Sequence, residues 1–184
     1  MPNFTKKAIK DSMKKLLNER PLNQITVKDI VNDCGINRNT FYYNFSDIYA
    51  LVDEIIQEET NKIMHEHKPY SSWNEAFLSA ANFAIQNKRA IFHLHNSSRR
   101  AQLEKYLQKV VNEVVISFVE AEAAGNNINE EDKEFIAEFY TYALLGFLNK
   151  WIDNGMQDDF KAVIDKTSLL FQNNIKQVIT LFSE

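Results

Sequence analysis

The chain has 184 residues, 45% of them hydrophobic and 25% charged, with a formal net charge of −4. That is ordinary folded-domain composition, which excludes a disordered or fibrous chain and allows one large domain or two small ones. Four glycines, three prolines and one cysteine are too few for the turns of a many-stranded protein and rule out an internal disulfide, so an all-α fold in a reducing cytoplasm is expected.

No apolar run reaches bilayer length, so no membrane partner is expected. The charge is uneven. Residues 1–50 hold eight Lys/Arg against five Asp/Glu, a balance of +3, and the remainder carries −7. A basic head on an acidic body is the footprint of a small nucleic-acid-reading module joined to something else.

Residues 5–19 read as a helix, with Ile9, Met13, Leu16 and Leu17 at helical spacing and Lys6, Lys7, Lys10 and Lys14 on other faces. Pro21 stops it. Thr26 starts a second, short helix through a capping box with Asp29, and Val27, Ile30 and Val31 form its apolar face. Cys34-Gly35-Ile36 ends it, with Gly35 suited to the left-handed residue past the terminus. Asn37 can cap the next helix. Ser46 can cap a fourth, running to about His67 with Leu51, Ile55 and Ile63 inward, before Pro69 breaks it. Longer helical patterns follow over about 72–87, 88–96, 99–124, 130–154 and 158–183, for about nine helices in all.

Two short helices joined by a tight Gly turn at 26–45 fit a helix-turn-helix, whose second helix enters the major groove of DNA. The run RNTFYYNF at 38–45 holds two phenylalanines and two tyrosines. At about 100° per residue, Phe41 and Phe45 fall within roughly 40° of each other and form an inner wall over Ile30, Val31 and Ile36. Asn39 and Tyr43 then face outward, and Thr40 and Tyr42 lie on the flanks. The rings without a hydroxyl are inside, and those with one can meet a phosphate or a base edge. Arg38 suits guanine and Asn39 suits adenine.

TVKDIVNDCGINRNTFYYNF followed by SDIYALV resembles the DNA-binding domain of TetR-type transcriptional regulators. The resemblance covers roughly residues 5–55. It implies a three-helix DNA-binding head over residues 1–47 and a larger helical ligand-binding and dimerisation body over 48–184, with helix 46–68 connecting them. By matched position, Thr26, Thr40, Tyr42 and Asn44 contact phosphate, and Lys28, Arg38, Asn39 and Tyr43 lie nearest the bases. Many members have His at the position of Asn44 and Lys at that of Ile48. Both departures remove a cationic contact, each lowering the salt slope by about one unit, and the Lys-rich first helix is expected to offset part of that loss. The later stretch LLGFLNKWIDNGM looks like the body of a branch that includes activators of dihydroxyacetone-kinase operons.

In the body, helix 158–183 carries an apolar stripe through Phe160, Ile164, Thr167, Phe171, Ile175, Val178 and Phe182, widened by Leu169, Leu170 and Ile179. Helix 130–154 is apolar on more than one side, and Gly146 permits a close helix approach. A helix with two apolar sides points to a partner surface. In the family the last two helices pair with their copies, which implies a homodimer with Phe147, Trp151, Phe171, Ile175 and Val178 at the interface. Its reading heads would sit about 34–36 Å apart on a palindromic operator in double-stranded DNA. The alternative for both stripes is one monomeric core.

The family pattern also implies a pocket for a small-molecule effector among Phe77, Phe83, Phe92, Tyr106, Phe118 and Tyr142, with His95 and Arg99 as polar anchors; a solid aromatic core is the alternative. Helix 46–68 would carry the effector's influence to the head. No cofactor is expected. His65-Glu66-His67 and His93-Leu94-His95 have the wrong spacing for a metal, since residues two apart on a helix point about 200° apart. Cys34 reads as a small buried thiol. No phosphate loop, nucleophile elbow or helical His pair with a Glu supports an enzyme. The expected function is therefore a ligand-responsive DNA-binding regulator. A helical co-regulator acting through another DNA-binding protein is the alternative, kept open by Asn44 and Ile48.

Overall fold

The computed structural model describes residues 2–65, 82, 84–157 and 159–183. Among these the helices are α1 (Pro2–Glu19), α2 (Val27–Asp33), α3 (Arg38–Asn44), α4 (Ile48–His65), α5 (Lys88–His95), α6 (Arg100–Ala123), α7 (Glu130–Asp153) and α8 (Phe160–Phe182), with one 3-10 turn at Leu22–Gln24. The described residues contain no strand. The fold is all-α, with an N-terminal helix-turn-helix and a helical body. Residues 82 and 84–86 are also helical. Pro69, Phe77 and Phe83, and the side chains of Ile63 and Phe160, lie outside the described residues. Two compact units emerge, Met1–Lys62 with Asn87–Tyr106, and Ile63–Gln86 with Leu107–Glu184. The first segment of the first unit runs past residue 47 to Lys62, within the helix expected to connect head and body.

In the first unit, α1 begins earlier than expected, at Pro2, a residue whose fixed φ suits a first helical position. Ile9, Met13, Leu16 and Leu17 recur on one face and are all buried. α5 packs against α1, and its Ile91 and Leu94 are buried too. His93 Nδ1 donates to the Leu17 carbonyl at 2.6 Å, supplying a partner to one of the last carbonyls of α1, which have none within the helix. From α4, Leu51, Val52 and Ile55 join the same core. The start of α4 differs from expectation. Asp47, not Ser46, caps it, because the Asp47 carboxylate accepts from the Ala50 amide at 2.8 Å.

The lysines of α1 also behave differently from expectation. Lys6, Lys10 and Lys14 lie one turn apart and face α4. Lys6 pairs with Glu54 at 2.8 Å and Lys10 with Glu54 at 2.6 Å. Lys10 also pairs with Glu58, Lys14 with Glu59, and Lys15 with Asp33 of α2. The Lys10 side chain is only 9% exposed. These four cations are paired inside the unit, which leaves Lys7 as the exposed lysine of the first helix outside the ladder.

In the second unit, α7 buries Ile136, Ala137, Thr141, Leu144, Leu145, Trp151 and Ile152, and α8 buries Ile164, Phe171, Ile175 and Ile179. The two helices run antiparallel, with Tyr140 edge-on to Phe171 at 4.6 Å and Phe135 beside Phe182 at 6.3 Å. Asn129 caps α7 by accepting from the Asp132 amide at 2.8 Å. Glu130, Glu131 and Asp132 fill the first turn, where the positive end of the helix dipole favours carboxylates. From α6, Val110, Val114, Val115 and Val119 complete this core.

Burial works against the charged form of Glu54, but hydrogen bonds from Lys10 and Lys6 outweigh it and hold the carboxyl below its ordinary value of 4.5. A depressed folded value means that the contribution is fully present above about pH 4.5 and is lost as the pH falls through the folded value. Glu54→Gln is therefore expected to cost roughly 1 kcal/mol near neutral pH. It should also flatten the decline in stability between about pH 5 and pH 3. Urea denaturation of both proteins across that range checks this.

Candidate nucleic-acid interface

The α2–α3 pair is built from local signals. At the start of α2, the Thr26 hydroxyl accepts from the Asp29 amide at 3.3 Å and donates to Asp29 Oδ2 at 2.6 Å, while the Thr26 amide donates to the same oxygen at 2.8 Å. This is the expected capping box. Hydrogen bonds from the Thr26 side chain and backbone hold the Asp29 carboxyl below its ordinary value. Gly35 has φ +69°, a left-handed conformation that side chains other than glycine rarely adopt, and it turns the chain between the helices. Asn37 caps α3, its Oδ1 accepting from the Thr40 amide at 2.8 Å and from the Thr40 hydroxyl at 3.0 Å.

The aromatic run divides by face. Phe41 is 0% and Phe45 4% exposed, whereas Tyr42 is 53% and Tyr43 85% exposed. Phe41 and Phe45 stand 6.0 Å apart, with Ile30 and Val31 buried in the same core. Tyr42 meets Phe41 edge-on at 5.4 Å. Lys28, Arg38 and Asn39 are exposed. Among the described residues neither Lys28 nor Arg38 forms a salt bridge, in contrast to Lys6, Lys10, Lys14 and Lys15 of α1.

The candidate phosphate contacts are not equivalent. The hydroxyls of Thr26 and Thr40 already donate within their caps, so either would have to exchange an internal bond to donate to a phosphate. Asn44 is half-buried and donates to the Thr40 carbonyl at 2.8 Å, keeping one amide hydrogen beyond that bond. Ile48 is half-buried. The Cys34 thiol donates to the Ile30 carbonyl at 3.0 Å, and burial pushes its pKa up, which fits a packing residue.

Residues 11–55 match the family described as "Bacterial regulatory proteins, tetR family", and residues 71–173 match a TetR-type family described as "Transcriptional regulator C-terminal region". The chain belongs to the TetR family of transcriptional regulators. One curated TetR-type relative is the HTH-type dhaKLM operon transcriptional activator DhaS of Lactococcus lactis subsp. lactis (strain IL1403). It is 23% identical over 158 residues, covering 83% of this chain and 81% of its own. A solved structure, the dihydroxyacetone kinase operon activator DhaS, is 19% identical, covers 98% of both chains and superposes with a TM-score of 0.77. At that identity the likeness shows a shared fold.

The other residues singled out for a TetR-type protein belong to both units. Within the first unit, His95 is buried and Phe92 is 38% exposed. Arg99 lies over the Tyr49 ring at 4.6 Å and pairs with Asp53 at 3.5 Å, partners that the sequence pattern did not indicate. Burial pushes the Tyr106 hydroxyl well above its ordinary range. In the second unit Phe118 is half-buried, and Tyr142 is exposed, its hydroxyl accepting from Gln108 at 3.2 Å. Phe77 lies outside the described residues.

Of the residues assigned to a dimer interface, Trp151, Phe171 and Ile175 are buried in the chain's own core, Val178 is half-buried and Phe147 is exposed. The first three have little surface to offer a partner. On these two helices the exposed large apolar side chains are Phe135, Phe139, Tyr142 and Phe147 of α7 and Leu169, Leu170, Leu181 and Phe182 of α8. On α7, Phe135, Phe139 and Tyr142 recur at steps of four and three and mark a second apolar side, whereas Phe147, five residues past Tyr142, lies about 140° further round the helix. A Cβ built on Gly146, on the same side, meets nothing within 4 Å. Among the described residues no helix is long and apolar enough to cross a membrane.

Phe41→Ala should destabilise the first unit by about 3–5 kcal/mol, the usual result of removing a fully buried ring. Tyr43→Ala, on an exposed ring, should change stability by less than about 0.5 kcal/mol. Urea denaturation followed by circular dichroism measures both.

Proposed function

We propose that this TetR-family regulator binds a palindromic operator as a homodimer, inserting α3 into the major groove. The observation that carries the reading is the division of α3, with two buried rings behind and Arg38, Asn39, Tyr42 and Tyr43 exposed in front. Arg38 and Asn39 would meet base edges, and the Tyr42 hydroxyl a phosphate. With Asn44 and Ile48 in place of cations, and with Lys6, Lys10, Lys14 and Lys15 of α1 already paired, nonspecific affinity should be modest.

The dimer would form through the exposed apolar side of α7 together with Leu169, Leu170 and Leu181 of α8. Exposed rings in a continuous helical stripe are expensive in water and are removed by a two-fold partner presenting the same stripe. A small-molecule effector would shift the balance between head spacings that fit and do not fit the operator. His95 and Arg99 remain its candidate polar anchors. The relatives named as operon activators support activation as the direction of control, with a dihydroxyacetone kinase operon the first target to examine. The helical co-regulator reading rests on the sparse cations of the reading surface.

A gel shift with the DNA upstream of this protein's own gene, at two salt concentrations, separates the two readings, since a co-regulator would not bind it unaided. Arg38→Ala should weaken operator binding about 5- to 150-fold, the loss of one bidentate base contact. Arg38→Ala combined with Tyr42→Ala should abolish it while leaving the dimer intact. Retained binding by that double variant would remove the groove-face assignment. Phe139→Glu with Leu170→Glu should give a monomer by analytical ultracentrifugation while leaving the fold of the first unit unchanged.

A further inference from the structure

The lysine row of α1 is the largest cluster of charge that the reading surface leaves unused. Lys6, Lys10 and Lys14 face Glu54, Glu58 and Glu59, and the pairs interlock. Glu54 receives both Lys6 and Lys10, and Lys10 bridges Glu54 and Glu58. Lys6 also stands over the Phe45 ring at 5.2 Å, so it touches the end of α3 as well as α4. A lysine 9% exposed between two carboxylates cannot reach a phosphate without leaving both.

We propose that this ladder is an ionic clamp that positions the reading helix on α4, so that Lys6, Lys10 and Lys14 act on DNA binding through head geometry and not by touching DNA. α4 is the first of two helices along which the chain leaves the first unit, since that unit's first segment ends at Lys62 within it and its second at Tyr106 within α6. The clamp deepens the regulator reading and rests on it, because it names the contacts through which a displacement of α4 would be transmitted to α3. The apolar seam of Ile9, Met13, Leu51 and Ile55 gives adhesion without register, since apolar contact is non-directional. The paired charges supply the register, in the way that complementary charges set alignment in helical pairs.

Charge reversal tests the clamp. Lys6→Glu with Lys10→Glu should lower the melting temperature and weaken binding to the upstream duplex more than about tenfold, because like charges then face each other along the helices. Adding Glu54→Lys and Glu58→Lys rebuilds the ladder with opposite sign. This quadruple variant should regain the melting temperature, bind within about threefold of wild type and keep the wild-type salt slope. A quadruple variant that folds like wild type but binds more than about thirtyfold weaker would overturn the clamp. So would a slope reduced by about two units, because both results mean that the lysines touch phosphate. If the quadruple variant does not fold, Lys14→Met decides, with an unchanged slope supporting the clamp and a loss of about one unit refuting it. Failure of the wild type to bind the duplex would count against the regulator reading, and the clamp would then stand or fall on whether the quadruple variant regains its melting temperature.

Discussion

Burial of Phe41 and Phe45 behind a seven-residue helix is the constraint on which the first unit depends. A helix that short is not stable alone, so α3 exists because its rings are held in the core shared by α1, α2 and α4. The same burial sets which way the rest of α3 points. Once residues 41 and 45 are inside, residues 39 and 43 must be outside, and 40 and 42 must be at the sides. A reading surface made this way inherits its precision from core packing, and the exposed side chains are free to differ without loss of fold.

Charge follows a second division that composition cannot reveal. The head is basic as a whole, yet most of its lysines are turned inward or sideways onto carboxylates of α2 and α4. The cations without such partners among the described residues include Lys28 and Arg38, at the outer ends of α2 and α3. The exposed cations outside carboxylate pairs are therefore few, Lys7 of α1 with Lys28 and Arg38 among them. That arrangement favours discrimination between sequences over sheer attraction to phosphate, because the counterion-release component of affinity scales with the number of phosphates neutralised.

The second unit shows the same economy in apolar surface. α7 carries one apolar side that packs with α8 and a second that faces solvent. The rings of Tyr140 and Phe171 anchor the first, Phe139 and Tyr142 mark the second, and Phe135, also exposed, reaches the Phe182 ring of α8.

Much of this could be read from the linear chain. Among the described residues, helix limits came within a few residues because Pro21, Thr26, Gly35, Asn37 and Gly155 act through local stereochemistry, which depends only on near neighbours. The inside and outside of α3 followed from helical spacing, and the family from the order of motifs over residues 26–55. Tertiary structure decided what depends on partners distant in sequence. Lys10 meets carboxylates 44 and 48 positions away, so nothing near it in the chain marks it as a buried cation. Trp151, Phe171 and Ile175 have the same apolar character as Phe139 and Leu170, and only the packing of α7 on α8 separates core from surface. Hydrophobicity states that a side chain will avoid water, and the three-dimensional arrangement alone determines which neighbour covers it.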